Sequence, residues 1–358
     1  MPNRREALKK LTSVSAGVLL AGAVNPRVAR AAAPRIKIGQ IGVGHAHASK
    51  LEVYRASPDY EVVGIVETDA ALRGRAEQEE PFRGLPWMSQ QELLETPGLQ
   101  AVLVETRVRD LLDTAETCIA AGKHVHLDKP AGQSLAQYHK ILDAAASKNL
   151  MVQMGYMYRY SPAIVMLRDF LKRGWLGEPF EVHTVMSKVI PRERRPELAE
   201  YPGGIMFELG CHIIDLAVGV LGAPQQVTAY PRHSLAADDT LLDNMLAVFE
   251  YPKATATVKS SALEVDGGNR RHFVVCGTEG TFHIQPLDDP RARVTLSQKR
   301  GDYQRGYQDI AFPKFTRYTA DAADMARVIR GEKACDFSYQ HDLAVQTALL
   351  QACGLTTA

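Results

Sequence analysis

Read for the spacing of its apolar residues, the chain changes character near Gly155. Upstream, short runs rich in Val, Ile and Leu alternate with stretches whose apolar residues recur every three to four positions. RIKIGQIG, YEVVGIVE, QAVLVE (Gln100 to Glu105), KHVHLDKP and LMVQMG read as strands. HASKLEVYRAS, LLDTAETCIAAG and SLAQYHKILDAAASK read as the helices between them, the second stopping at Gly122 and the third capped by Ser134. Such alternation predicts an α/β fold, with a doubly wound parallel sheet covered on both faces, over residues 34–155.

Downstream the periods lengthen. SPAIVMLRDFLKRG opens a helix with Ser161 as cap and Pro162 at its first position. FEVHTVMSKVI, MLAVFEY, ATATVKSSALEV, HFVVCG and TFHIQ are strand candidates with no helix between most of them. Residues 156–358 are therefore expected to form an α+β domain with a mostly antiparallel sheet, closed by helices near Tyr318 to Arg330 and Tyr339 to Cys353.

One helix in this half is anomalous. From about Ile205 to Leu221 it is apolar nearly all round, the mark of a buried helix. At about 100° per residue, Glu208, His212 and Asp215 nevertheless fall on one narrow stripe. Burying three titratable groups without partners costs several kcal/mol. Either they pair with one another, or they line a ligand-filled cleft. In the second case His212 is the best general base, with Glu208 one turn back to orient it.

The first 33 residues read differently from everything after them. NRREALKK precedes the apolar run LTSVSAGVLLAGAV, and Ala31 to Ala33 stand before Pro34. A basic head, a short apolar middle and an A-x-A end predict an export signal, and Arg4 and Arg5 resemble a twin-arginine motif. A periplasmic location is expected. This segment holds six Lys or Arg and one Glu of the chain's 42 basic and 41 acidic side chains, leaving 36 and 40, a balance of −4. No basic surplus remains for nucleic acid, and no later segment is long and apolar enough to cross a bilayer. Five cysteines without a C-x-x-C pair argue against a disulfide framework.

Composition leaves function open, but two stretches do not. IGQIGVGHAH puts Gly42 and Gly44 where the first strand passes into the first helix, so a pyrophosphate can sit on free amides at the helix start. His45 lies in the same loop. Glu67, at the end of the second strand, is placed to accept hydrogen bonds from an adenosine ribose. That favours NAD over NADP, although Arg73 and Arg75 are close enough in sequence to serve a 2′-phosphate. His47 holds the place of the third glycine of G-x-G-x-x-G. The second stretch is HLDKP, in which Lys129 falls just past a strand end and Asp128 can hold its ammonium. The i,i+2 pairs His45/His47 and His124/His126 show no third ligand in sequence, so no metal is expected.

Three motifs in order then resemble the Gfo/Idh/MocA oxidoreductase family. AGKHVHLDKP is similar to its A-G-K-H-V…E-K-P, with Asp128 for the usual glutamate. MYRYSP with LKRGWLGEPFEV resembles its R-x-x-P and G-x-(I/L)-G stretch, and GGIMFELGCHIIDLAVGVLG its G-G…D-x-G-x-H-x-x-D…L-G helix. The resemblance implies a Rossmann domain binding NAD or NADP and hydride transfer to or from a carbohydrate or polyol hydroxyl. It also implies a homo-oligomer, in keeping with an exposed sheet face in the second domain. By position, Lys129 would bond the reacting hydroxyl near the nicotinamide, His212 would shuttle the proton, and Glu208 would partner it. Asp215 would join them at the substrate, and Arg159 would support the cofactor side. The family's T-P-N-x-x-H loop appears as TRVRDL, leaving Thr106 alone to face the nicotinamide. With His47, this departure leaves open a shifted or weaker cofactor seat. Two rival readings follow: a glycosidase working by transient oxidation, and a cofactor- or sugar-binding protein without turnover.

Overall fold

The computed structural model describes residues 33–236 and 238–357, and from Arg35 onward these belong to one compact unit. The export signal expected over residues 1–33 lies outside the described residues, apart from Ala33.

A five-stranded parallel sheet holds β1 (Ile36–Ile41), β2 (Tyr60–Val66), β3 (Leu99–Val104), β4 (His124–Leu127) and β5 (Val152–Met154) in the order β2-β1-β3-β4-β5. Both faces are covered, which is why these strands read as continuous apolar runs. On one face Ile36, Ile38, Ala101 and Leu103 pack with Leu51 and Tyr54. Ala322, Met325 and Ala326 join that same core. The helix Thr319–Ile329, assigned by sequence to the second half, therefore covers the first sheet. On the opposite face Ile41, Val102, Val104 and Val125 meet the helices Leu111–Ala120 and Leu135–Ser147.

The second sheet has eight strands: β6 (Pro179–Ser187), β7 (Gln226–Tyr230), β8 (Asn244–Glu250), β9 (Thr255–Ser261), β10 (His272–Gly277), β11 (Gly280–Ile284), β12 (Arg291–Leu296) and β13 (Gly306–Ala311). Their order is β13-β12-β11-β10-β6-β9-β8-β7, and every neighbouring pair is antiparallel except β6 with β9. The expected fold class, a doubly wound parallel sheet with a mostly antiparallel partner, is the one observed.

The anomalous helix is not one regular helix. Met206–Gly210 form a π-helical turn, and only Cys211–Leu221 are α-helical. Such turns add a residue per turn and recur at functional sites. A wheel drawn at about 100° per residue therefore fails across Gly210.

Candidate active site

The strand order reverses direction between β1 and β3, and the crevice beyond their carboxyl ends is where open α/β sheets bind ligands. Gly42 stands there with φ +93°, and a Cβ on it would lie 2.4 Å from the Thr106 amide nitrogen. Only glycine allows both the turn and this approach. Val43 and Asp69 donate their amides to Glu67 Oε2 and Oε1, each at 2.9 Å, which fixes that carboxylate at the end of β2. Arg73 pairs with Glu77 at 2.8 Å and packs over Trp87, so it is engaged away from a 2′-phosphate. Arg107 reaches from the end of β3 to Asp69 at 3.0 Å. Two clefts flank the loop, one of about 570 Å³ against Val43, Gly44 and His45, the other of about 220 Å³ against Gly42, Glu67 and Thr106. The buried Thr106 hydroxyl has no protein partner. A Cβ-intolerant cradle, an anchored ribose carboxylate and an unused hydroxyl fit a dinucleotide.

Behind the loop lies a charged cluster that sequence spacing could not assemble. Lys50 is fully buried, with Nζ 2.9 Å from Asp128 Oδ2 and 3.0 Å from Glu105 Oε1. Burial opposes its charge, but Asp128 and Glu105 together hold it above the ordinary lysine value. Glu105 moves the other way: burial first, then Asp128, push its carboxyl well above the usual range. His45 Nδ1 is 2.9 Å from Asp128 Oδ2, and His47 Nδ1 is 3.2 Å from Oδ1. Burial drives His47 down to about 4, leaving a neutral ring. The third potential metal ligand, absent from the local sequence, is therefore Asp128, delivered by β4 some eighty residues later. The His47 side chain points toward Asp128, with its ring 6.1 Å from that of His212.

Lys129 and the π-turn meet directly. Lys129 precedes a cis proline, and its amide donates to Asp128 Oδ1 at 2.7 Å. Its Nζ donates to the Glu208 carbonyl at 2.6 Å and lies 3.9 Å from Glu208 Oε1. Burial disfavours this ammonium, yet Cys211, Glu208 and Asp128 hold its pKa above the ordinary lysine value. Lys188, which sequence reasoning missed, stands 3.4 Å from both Glu208 oxygens. Against the cost of burial, Lys129 and Lys188 draw Glu208 down to about 2. Glu208 thus serves two lysines rather than orienting His212. His212 is itself buried, edge-on to Tyr158 at 5.2 Å and Tyr156 at 6.1 Å, and its Nδ1 has no hydrogen-bond partner. Burial, then Lys129 and His47, push it well below the usual imidazole value. It is a neutral base with an unspent lone pair.

Two predicted residues are engaged elsewhere. Asp215 accepts from Arg159 Nη2 at 2.6 Å and lies 3.2 Å from His341 Nε2, while Arg159 also donates to Asp342 at 2.6 Å. The Arg159 guanidinium is further stacked on Phe337 and Tyr156. This buried set ties the turn Met157–Tyr160 to the helices Cys211–Leu221 and Tyr339–Ala352. Its chemistry is that of an internal ion network rather than a substrate or cofactor contact. Lys188 and Lys50 had no signal beyond being lysines in predicted regular elements.

Comparison with known proteins agrees with this geometry. Residues 36–156 match the model of an oxidoreductase family's NAD-binding Rossmann fold, and residues 164–283 that of the Gfo/Idh/MocA C-terminal domain. The chain is similar to scyllo-inositol 2-dehydrogenase (NAD(+)) of Bacillus subtilis, 26% identical across 73% of this chain and 77% of that protein. It is also similar to myo-inositol 2-dehydrogenase of Thermotoga maritima, 22% identical across 77% and 82%. In fold it resembles an oxidoreductase from Agrobacterium radiobacter in complex with NAD+, L-tartaric acid and magnesium, with TM-score 0.75, 17% identity and coverage of 90% and 97%. A doubly wound sheet with a glycine cradle, a lysine and a histidine at its mouth, and both domain matches in order leave one assignment: the chain belongs to the Gfo/Idh/MocA family of NAD-binding oxidoreductases.

Proposed function

We propose that this chain is an NAD-dependent dehydrogenase of a sugar or polyol, with Lys129 and His212 as its catalytic pair. The carrying observation is that the Lys129 Nζ, 2.6 Å from the Glu208 carbonyl, shares the mouth of the sheet with a buried histidine whose Nδ1 is unpartnered. The loop amides around Gly42 and Gly44 would hold the pyrophosphate, Glu67 the adenosine ribose, and Thr106 the nicotinamide side. Bound there, the nicotinamide supplies a two-electron acceptor for the carbinol carbon.

The protein's own share is proton chemistry. Lys129, kept charged by Glu208, donates to the substrate oxygen and stabilises the negative charge that develops there. Neutral His212 takes the hydroxyl proton. Lys188 shares Glu208 with Lys129 and so helps keep that carboxylate ionised at any working pH. The inositol dehydrogenases among its relatives favour a polyhydroxylated substrate. We propose also that the chain is exported, on the strength of the basic, apolar and small-residue segments that precede Pro34.

The test is a panel of sugars and polyols, inositols included, with NAD+ and NADP+, followed at the absorbance of reduced nicotinamide. Reduction by at least one polyol, lost in Lys129→Ala, is expected. Dinucleotide binding with no reduction by any substrate, or full turnover in Lys129→Ala, would overturn the assignment.

A further inference from the structure

The charged cluster behind the phosphate loop is not used by the proposed chemistry, and its hydrogen bonding does not close. His45 Nε2 lies 2.9 Å from the Lys129 carbonyl, which can only accept, so Nε2 carries the ring hydrogen. The Nδ1 lone pair then accepts the His47 amide at 3.2 Å. Yet the same Nδ1 faces Asp128 Oδ2 at 2.9 Å. Two acceptors at hydrogen-bond distance require a second proton or a cation between them. A second observation points the same way. Glu105 is fully buried, its Oε2 has no hydrogen-bond partner, and that oxygen lies 3.8 Å from His45 Nδ1.

The carboxyl oxygens narrow the place. Lys50 takes Glu105 Oε1 and shares Asp128 Oδ2 with His45. Asp128 Oδ1 accepts the Lys129 amide and faces His47 Nδ1 at 3.2 Å, and Glu105 Oε2 is left toward His45. His45, His47 and Asp128 each offer a ligand atom, all within 4.8 Å of one another. A tetrahedral zinc holds its nitrogen and oxygen ligands at about 2.0–2.2 Å, so they stand about 3.3–3.5 Å apart, which small side-chain rotations here would reach. The bond from His45 Nε2 to a backbone carbonyl is the outer support that metal-bound histidines characteristically have.

We propose that His45, His47 and Asp128 form a binding site for a divalent first-row metal of the zinc type, with the unpartnered Glu105 Oε2 beside it. Two of the three ligands are positions where the chain departs from its family's pattern: His47 in place of the third glycine and Asp128 in place of glutamate. The structure shows these departures in contact, at 3.2 Å. Two imidazoles and one carboxylate suit zinc, cobalt or iron better than magnesium or calcium. The site lies beside the dinucleotide loop and does not depend on the substrate assignment.

The experiment uses the full chain stripped with EDTA and titrated with Co²⁺ as the probe, read by the visible d–d absorption of a low-symmetry site and by calorimetry with Zn²⁺. One equivalent is expected, with affinity reduced at least tenfold in His47→Gly and in Asp128→Asn. His47→Gly restores the family's glycine, so it keeps a foldable loop even where Asp128→Asn, which also releases Lys50, does not. NAD+ binding is measured on the same samples. If His47→Gly binds NAD+ but not cobalt, the metal site stands apart from the cofactor site. Unchanged one-to-one cobalt binding in His47→Gly would overturn the proposal. So would the absence of any binding in the unsubstituted chain, which would mean that a second proton on His45 fills the gap. Failure of this titration leaves the dehydrogenase assay untouched.

Discussion

Gly42→Ala tests the cofactor seat without reference to turnover. Two costs can be worked from the structure. The residue has φ +93°, a conformation that costs an L-residue about 1–2 kcal/mol. The new Cβ would also lie 2.4 Å from the Thr106 nitrogen and 2.6 Å from the Glu105 carbonyl carbon, both backbone atoms that cannot rotate away. Relief requires the ends of β1 and β3 to part. That weakens the two bonds that join these ends, from the Glu105 amide to the Ile41 carbonyl at 2.8 Å and from the His45 amide to the Glu105 carbonyl at 3.0 Å. At about 0.5–1.5 kcal/mol each, they bring the total to roughly 2–5 kcal/mol. A domain of ordinary stability survives this loss. The loop amides shift with the strand end, and NAD+ affinity should fall at least tenfold, about 1.4 kcal/mol. Two controls separate the causes. Gly84→Ala carries positive φ, +75°, with nothing within 4 Å, so it tests strain alone. Gly74→Ala lies inside the helix Ala70–Ala76 with open space around it, and should stabilise by about 0.5–1 kcal/mol. Urea unfolding and NAD+ calorimetry on the three variants decide the matter. If Gly42→Ala binds NAD+ within twofold of the unsubstituted chain, the pyrophosphate does not sit on this loop.

The other predictions concern the residues around Lys129. Lys129→Ala should abolish turnover while NAD+ affinity stays within about threefold, because the loop that carries the pyrophosphate is untouched; a matching loss of affinity would place Lys129 in cofactor binding instead. Glu208 has its folded pKa lowered from 4.5 to about 2, so its contribution to stability is present above pH 4.5 and is lost as pH falls toward 2. That contribution is roughly 3 kcal/mol, and the stability gap between the chain and Glu208→Gln should shrink over this window in pH-resolved urea titrations; a flat difference would contradict the pairing with the lysines. Arg159→Leu strands Asp215 and Asp342 in the interior and should cost about 3–5 kcal/mol, and a loss under 1 kcal/mol would show that water reaches the network.

The sequence carried the two sheets because their physics is local. β1 to β5 are largely buried on both faces and rich in Val, Ile and Leu, and β6, β8, β9 and β10 are long and β-rich, so each is visible alone. Strand β12, RARVTL, buries one face only and carries Arg291 and Arg293 on the other, and the edge strand β13, GYQDIA, buries neither face, and no strand was predicted at either. Gly42, Glu67 and Lys129 were legible as candidates because each occupies a fixed offset from a strand end. Lys50 was not, because a lysine in a helical stretch reads as surface, and its partners Glu105 and Asp128 come from two later strands. Asp128 was read as a holder of the Lys129 ammonium, whereas its side chain gathers Lys50, His45 and His47 and accepts only the Lys129 amide. Which groups share a buried carboxylate is a property of the topology, not of spacing along the chain.

The π-turn explains why the helical wheel put Glu208 beside His212 and the structure does not. On a regular helix Glu208 and His212 are one turn apart on a common face, and the carboxylate would hold the imidazole and raise its proton affinity. With the extra residue of Met206–Gly210, Glu208 instead meets Lys129 and Lys188, and His212 is left among Tyr156, Tyr158 and His47 with no acid beside its Nδ1. The two arrangements push the imidazole in opposite directions. Paired with glutamate, the histidine would hold a proton more tightly and be a free base over less of the neutral range. Detached from it, it is a free base while the lysine keeps the positive charge that the substrate oxygen needs. The irregular turn therefore separates the base from the cation that would face the substrate oxygen, a division that a regular helix here would not supply.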